Sequence, residues 1–304
     1  MLYWILFQTP QEMKEYDIDQ TISQYVHGAE LAKEAGFDGV QLHGSHGYLI
    51  TQFMSPKTNA RKDEYFQPLL FLYRIASQIR KQMPKKFVLS VKLNAADYVE
   101  GGMTEEESLR HVEEITKWEL FDIIEISGGD YENPEFIGHG SKRQAFFLRF
   151  AQRASSTVEM VASKLGIQPP AILLTGSLRE QASIASVLRK KEASLIGIGR
   201  PSVVLPSYPR FLTDESLSSE DIPNPFEPVL PKLGISKLAG ASVNTMWYCY
   251  EMRRLAESVL NGRISDDHQP SNAPALWRVV SCYISALWLL ITGLLGFSGM
   301  KERL

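Results

Sequence analysis

The stretch that decides the fold runs from Gly36 to Tyr65 and reads GFDGVQLHGSHGYLITQFMSPKTNARKDEY. Within it, the apolar pattern Phe37–Leu42 predicts a short buried strand, and His43, His46 and Tyr48 follow it directly. In an α/β barrel, the loops that follow the strands build the active site. Two imidazoles and a phenol at the end of a strand therefore indicate groups that hold a substrate oxygen and deliver a proton. The alternative is that the two histidines are loop residues that make structural hydrogen bonds only.

Up to residue 200 the chain alternates between helical and strand patterns. Apolar residues at helical spacing predict a helix over 17–35 with Gly36 as its C-terminal glycine, and Thr104 with Glu107 forms the capping box of a later helix. This alternation predicts a parallel sheet with right-handed crossovers, and nearly all-apolar strands are typical of a sheet covered on both faces. The predicted strands are 39–42, 87–93, 121–126, 171–174 and 194–198, and the predicted helices between them are 69–82, 104–118, 146–165 and 177–190.

The bulk composition is that of an ordinary globular protein. The chain has 304 residues, 44% apolar and 22% charged, with a net charge of −3, enough for one large or two small domains. No basic run is interleaved with aromatic residues, which argues against a nucleic-acid partner. The two cysteines, Cys249 and Cys282, make no disulfide framework and fit a reducing compartment. We expect no metal, because the spacing of His43 and His46 is not that of a zinc helix and no further ligands are evident.

The C-terminal part differs in character from the rest. After residue 200 a Pro-rich, irregular segment is followed by a predicted helix over 243–260 and by a flexible linker over 263–275. Residues 279–300, VVSCYISALWLLITGLLGFSGM, are 22 residues without a charge, long enough for a helix to cross a bilayer. We predict a transmembrane or membrane-embedded helix over 276–300, which would make the protein membrane-associated with its catalytic part in the cytoplasm. The alternative is an apolar helix packed against the barrel or a partner chain.

The quoted stretch resembles the old yellow enzyme family of FMN-dependent NAD(P)H oxidoreductases. The resemblance rests on a strand, then His-x-x-His-Gly-Tyr, then Ser-Pro-x-x-Asn-x-Arg-x-Asp-Glu-Tyr, in that order. It implies a TIM (β/α)8-type barrel, FMN as cofactor, NADH or NADPH as reductant, and an enone-like small-molecule substrate. It also implies roles in which hydride passes from reduced flavin to an activated C=C. His43 and His46 then bind the substrate oxygen, and Tyr48 donates the proton.

The resemblance extends to residues that would contact the flavin. Lys92, at the end of a strand, is expected to place a cation near the flavin ring, although such a lysine can also extend to solvent. Gly176 and Ser177, in LLTGSLRE, and Gly199 and Arg200, in IGIGRPSVV, resemble the family's phosphate-binding residues. Barrels commonly bind phosphate in the loops after their last two strands and at helix N-termini.

The chain also departs from the family pattern. A closed barrel has eight strands, whereas the five predicted here resemble the fourth to the eighth, so residues 1–262 would form a partial FMN-binding barrel. After Asp63-Glu64-Tyr65, the family's glycine-rich polar run is replaced by FQPLLFLYR. We expect Asn59, Arg61 and Asp63 to tie down the loop after Tyr48 rather than to act in catalysis.

Two other functions remain open at this point. The chain could be a catalytically inactive, flavin-free family remnant acting as a membrane-associated interaction protein, since an incomplete barrel exposes two sheet edges. Closure by self-association, as a homo-oligomer, would be one way to cover them. The chain could also be a different phosphate-binding barrel enzyme, such as an aldolase or isomerase, for which Lys92 is the only Schiff-base candidate.

Overall fold

The computed structural model of the chain describes residues 11–129, 144–176, 178, 180–225 and 237–260, with only the backbone of 144–146 and 237–246. The chain divides into two compact units. The first comprises residues 1–178 and 182–197, and the second comprises residues 179–181 and 198–304.

The first unit is built of alternating helices and strands, as the sequence predicts. Helix α1 precedes strand β1, and a helix crosses over between each later pair of strands. The predicted strands and helices are confirmed, with ends that shift by a few residues. The elements are α1 Glu15–Glu34, β1 Gly39–Gly44, α2 Leu49–Met54, a 3₁₀ turn Glu64–Phe66, α3 Leu70–Gln82, β2 Val88–Asn94, α4 Glu105–Lys117, β3 Ile123–Ser127, α5 Gln144–Leu165, β4 Ala171–Thr175, α6 Gln181–Arg189 and β5 Leu195–Gly197.

The strands form one parallel five-stranded sheet in the order β1-β2-β3-β4-β5. Because strands that are consecutive in sequence are also neighbours in the sheet, each crossover advances by one strand, as it does around a (β/α) barrel. The sheet therefore fits an arc of such a barrel. The register pairs His43 with Lys92, and Lys92 with Glu125.

The two faces of this sheet differ in polarity. The sequence prediction, which treated the strands as nearly all apolar, did not anticipate this difference. One face is apolar and joins the hydrophobic core through Leu42, Leu89, Val91, Leu93, Ile124, Ile126, Ile172 and Leu174. Because side chains alternate along a strand, the intervening residues point to the other side. We call this side the polar face; it carries Gln41, His43, Ser90, Lys92, Asn94, Glu125, Ser127 and Thr175.

Helix ends follow the signals that the sequence carries. Helix α1 buries Ile18, Ile22 and Val26 and ends before Gly36, whose φ of +89° is the left-handed conformation that a helix-terminating glycine adopts. Helix α4 begins with the expected capping box, in which the Thr104 side chain accepts a hydrogen bond from the Glu107 backbone N–H and Glu107 accepts one from Thr104 in return.

The loop after α2 is fixed by the residues expected to tie it down. The Asn59 side chain donates hydrogen bonds of 2.7 Å to the Phe53 carbonyl and 2.9 Å to the Tyr65 carbonyl. Arg61 forms an ion pair with Asp63 and donates a 2.7 Å hydrogen bond to the Met13 carbonyl. These polar contacts support the predicted structural role of Asn59, Arg61 and Asp63 in fixing this loop.

The predicted start of α6 was wrong. The predicted helix over 177–190 begins only at Gln181. Gly176, directly after β4, has a φ of +132°, outside the helical region, so the chain leaves the strand through a turn before it becomes helical.

The second unit contains more helix than its proline content suggests. Helices α7 (Arg200–Val204) and α8 (Tyr208–Thr213) lie in the segment that we expected to be irregular, and each has a proline in its first turn. This position tolerates proline, because the N–H that proline lacks has no partner within the helix there. Helix α9 (Lys237–Leu260) begins earlier than predicted and packs against α7.

The predicted membrane segment, 276–300, and the linker, 263–275, lie outside the described residues, so both remain predictions. Among the helices that the structure does describe, none combines the length and the apolar character needed to cross a bilayer.

Candidate active site

Three aromatic side chains meet at the carboxyl end of β1. The rings of His43 and His46 have centroids 5.2 Å apart and are nearly perpendicular, and the centroids of His43 and Tyr48 are 4.7 Å apart. His43 lies within the strand, whereas His46 and Gly47 both adopt positive φ angles, +62° and +74°. This tight left-handed turn brings the three side chains together, although a positive φ is uncommon for a histidine. The structure thus clusters the three residues that the sequence singled out.

The backbone turn at His46 is fixed by a buried asparagine. Asn94 Oδ1 accepts a 3.1 Å hydrogen bond from the His46 backbone N–H, and Asn94 is fully buried at the end of β2. Its amide nitrogen donates to Asp97 Oδ1 at 2.9 Å and to the Gly129 carbonyl at 3.0 Å. With both ends of its amide engaged, Asn94 holds His46 in a backbone conformation that would otherwise be disfavoured.

Serine hydroxyls orient both imidazole rings. Ser127 Oγ, at the end of β3, lies 2.7 Å from His46 Nε2, and the buried Ser45 Oγ lies 3.1 Å from His43 Nδ1. Each histidine thus has one ring nitrogen engaged by a hydroxyl group. Such contacts fix the ring's orientation and restrict which nitrogen carries the proton.

The environment keeps both histidines neutral at pH 7. Burial and then the nearby Lys92 ammonium lower the pKa of His43, with Glu125 opposing them. For His46, burial acts together with Lys92 and His43 to lower the pKa to about 3. A neutral imidazole can donate one hydrogen bond to an oxygen without placing a full positive charge beside it.

Tyr48 is accessible, with 47% of its surface exposed. The Tyr48 backbone lies at the start of α2, so the ring extends from a helix terminus across His43. An accessible phenol next to two neutral imidazoles can give a proton to a molecule bound over the cluster.

Lys92 lies on the polar face beside His43, as the register of β1 and β2 requires. Its Nζ forms a 2.8 Å ion pair with Glu125 Oε1, and 21% of its side chain stays exposed. Lys92 therefore does not simply extend into solvent, and it remains accessible to a ligand. Pairing with a carboxylate also disfavours use of the amine as a nucleophile, which argues against a Schiff-base enzyme.

The expected phosphate-binding residues fall in different parts of the structure. Gly176 directly follows β4 in the first unit, and Ser177 lies outside the described residues. Gly199 and Arg200 belong to the second unit, where Gly199 directly precedes α7 and Arg200 begins it. Their role in phosphate binding remains a prediction.

Three polar residues of the site were assigned no contact from the sequence. Asn94, Glu125 and Ser127 contact His46 or Lys92. Asn94 and Glu125 belong to strands that were judged by their apolar content, and Ser127 was noted after a strand, beside the active site, without a contact. The signal available was the period-two spacing of polar residues in β2 and β3, which places them on one face of the sheet.

Comparisons with known proteins identify the family. The family model described as NADH:flavin oxidoreductase / NADH oxidase matches residues 6–216. An NADH-dependent flavin oxidoreductase of Talaromyces variabilis is 33% identical over 262 residues, covering 80% of this chain and 57% of the relative. An NADPH dehydrogenase of a Geobacillus species is 29% identical over 204 residues, covering 66% of this chain and 56% of the relative.

Solved structures support the fold. A 2-naphthoyl-CoA reductase in complex with 2-naphthoyl-CoA aligns with a TM-score of 0.59 at 24% identity, over 70% of this chain and 31% of that one. The chain spans little more than half the length of the Talaromyces and Geobacillus relatives. The extent of the family match and the identity to the Talaromyces protein confirm the resemblance to the old yellow enzymes: this chain belongs to the NADH:flavin oxidoreductase / NADH oxidase family.

Proposed function

We propose that the chain is an FMN-dependent NAD(P)H oxidoreductase of the ene-reductase type. The observation that carries this proposal is the cluster of His43, His46 and Tyr48 beside Lys92 on the polar face of the sheet. Family membership and relatives named as NADH- and NADPH-dependent oxidoreductases support the cofactor and the reductant.

The residues present fit a flavin. A partly exposed ammonium, that of Lys92, lies on a sheet face that also carries the hydrogen-bonding groups of Gln41, Ser90 and Ser127. Such a cation suits the electron-rich edge of an isoalloxazine ring, which becomes negative on reduction. For the phosphate group, we propose Gly176, Ser177, Gly199 and Arg200, the residues that the family resemblance implies.

When bound, FMN supplies the hydride that it takes from NADH or NADPH. His43 and His46, both neutral, hydrogen-bond the carbonyl oxygen of an α,β-unsaturated substrate and stabilise the negative charge that develops there. Tyr48 donates its phenolic proton to the carbon next to the carbonyl, while the hydride is added to the carbon beyond it. The C=C bond becomes a single bond, and solvent returns a proton to Tyr48.

The test is an absorbance spectrum of the purified full-length chain, recorded with and without added FMN. We expect a bound, resolved flavin band that bleaches when NADH or NADPH is added without oxygen and returns when a simple cyclic enone follows. Circular dichroism checks that the sample is folded. A folded protein that binds no flavin would refute the proposal and would favour the inactive family remnant.

A further inference from the structure

Glu125 is the centre of a hydrogen-bond network that spans four strands. Its Oε1 pairs with Lys92 Nζ on β2 at 2.8 Å, and its Oε2 accepts a 2.9 Å hydrogen bond from Gln41 Nε2 on β1. The Thr175 side chain on β4 supplies a further hydrogen bond. Gln41 also donates to Ser90 Oγ at 3.0 Å, which fixes the orientation of its amide group.

This carboxylate is nearly buried, with only 9% of its side chain exposed. Burial raises the pKa of Glu125, but Lys92, together with the Thr175 and Gln41 hydrogen bonds, outweighs it and leaves the pKa below its ordinary value. Glu125 is therefore ionised at pH 7. A buried carboxylate is costly without such partners, so its place on the polar face, next to the residue assigned to the flavin, calls for an explanation.

Two consequences follow for Lys92. The ion pair fixes the position of its ammonium group, since the two other contacts of Glu125, with Gln41 and Thr175, leave the carboxylate little freedom to move. The negative charge also offsets part of the field that the ammonium group exerts on whatever binds over the polar face. Both effects would be lost if Glu125 were neutral and unable to pair with Lys92.

We infer that Glu125 is a positioning residue that sets the reduction potential of the bound flavin through Lys92. The inference rests on the proposed function, because it requires FMN over the polar face. With Glu125 present, the partly neutralised Lys92 favours the reduced, more negative ring less strongly, which keeps the potential low. Without that carboxylate, the full charge of Lys92 should make the flavin easier to reduce.

The test compares the wild-type chain with Glu125→Gln and with the double variant Gln41→Glu/Glu125→Gln. The double variant exchanges the carboxylate and the amide between two side chains that are hydrogen-bonded to each other, so it restores one negative charge to the network. Anaerobic reductive titration against a reference dye gives the potential of each bound flavin.

We expect Glu125→Gln to raise the equilibrium constant for two-electron reduction about tenfold, which is about 30 mV. The double variant should return most of the way to the wild-type value. A purely structural role predicts weaker flavin binding or lower stability, with no ordered shift in potential. An unchanged potential in Glu125→Gln with flavin still bound would overturn the inference.

A measurement without flavin separates failure of this inference from failure of the proposed function. In a double-mutant cycle with Glu125→Gln and Lys92→Met, urea unfolding of the flavin-free protein should show coupling of at least threefold in the unfolding equilibrium constant. Absence of coupling would overturn the pairing on which the inference depends. Coupling in a wild-type protein that binds no flavin would instead refute the proposed function and confine Glu125 to stabilising the sheet.

Discussion

At the scale of single residues, Tyr48 offers the most direct test of the chemistry. Tyr48→Phe removes the phenolic hydroxyl and keeps the ring that packs against His43. We expect flavin reduction by NAD(P)H to be unchanged and substrate reduction to slow by about 10²–10⁴-fold, the usual contribution of a positioned proton donor. Stopped-flow measurement of the two half-reactions gives both rates. Tyr73→Phe, at an exposed tyrosine on α3, is the control, and equal loss of both half-reactions in Tyr48→Phe would remove Tyr48 from proton transfer.

His46 makes a prediction about stability that does not depend on flavin. Its pKa is about 3 in the folded protein, against about 6.5 in the unfolded chain. Between these values only the unfolded state binds the proton. The free energy of unfolding should therefore fall as the pH decreases from about 6.5 towards 3, by up to about 1.4 kcal/mol per pH unit.

His46→Asn should flatten this slope while keeping the turn, since asparagine tolerates the left-handed conformation. Urea denaturation at several pH values provides the measurement. His27→Asn is the matched control, because the side chain of His27 is 67% exposed. If His46→Asn and His27→Asn change the slope equally, burial of His46 is not its cause.

Arg200 tests the phosphate assignment. Arg200→Ala should weaken FMN binding by about 10–100-fold, because a charge-assisted hydrogen bond contributes about 1.5–3 kcal/mol. Titration of flavin fluorescence gives the dissociation constant. Arg210→Ala, at an exposed arginine on α8, provides a comparison within the same unit. Equal affinities for the two variants would exclude Arg200 from the phosphate site.

The proposed catalytic cluster could be predicted from the sequence because its residues lie close together in the chain and follow a strand. His43, His46 and Tyr48 need only one tight turn to meet, so their proximity is a local property. Ser127 and Glu125 act on residues of other strands, and their contacts depend on the register between strands. Register is a property of the assembled sheet, and one apolar strand read by itself does not disclose it.

At the scale of elements, the edge strand β5 depends on a glycine. A Cβ added at Gly197 would lie 2.2 Å from Thr175 Oγ1, the side chain that also bonds Glu125. Gly197→Ala should therefore displace Thr175 and lower the free energy of unfolding by about 1–3 kcal/mol. Gly28→Ala, in open space on α1, should raise it by up to about 1 kcal/mol, because alanine favours helix. Urea denaturation of both variants gives the comparison. A Gly197→Ala variant that is no less stable than the wild type would contradict the packing at β5.

The kinds of elements were predictable, whereas some of their ends were not. Helix α4 begins where its capping box requires, since Thr104 and Glu107 satisfy the first backbone donors locally. Helix α6 begins later than predicted, because the conformation of Gly176 depends on the turn after β4. The short helices α7 and α8 were missed because proline was read as a helix breaker, although it is well tolerated in a first turn.

At the scale of the whole molecule, the five strands lie in the order expected of an arc that corresponds to the fourth to eighth strands of a barrel. The polar face of this arc carries two of the proposed site residues, His43 and Lys92, and Tyr48 contacts His43 from the loop after β1. The edges of the sheet pair with no other strand among the described residues. Size-exclusion chromatography with light scattering would show whether the chain forms the predicted homo-oligomer, which would cover these edges.

The apolar segment at residues 276–300 predicts that the whole molecule binds to membranes. If this segment forms a membrane helix, the full chain should float with lipid vesicles in a density gradient, and a chain without residues 276–304 should not. The variant Leu289→Lys/Leu294→Lys should also lose binding, since each lysine near the centre of a membrane helix costs about 2.5–3.5 kcal/mol. The matched variant Leu289→Val/Leu294→Val should still float, because it keeps the segment apolar. If the truncated chain floats as well, the anchor lies elsewhere. If the lysine and valine variants float equally, the segment does not enter the hydrocarbon core.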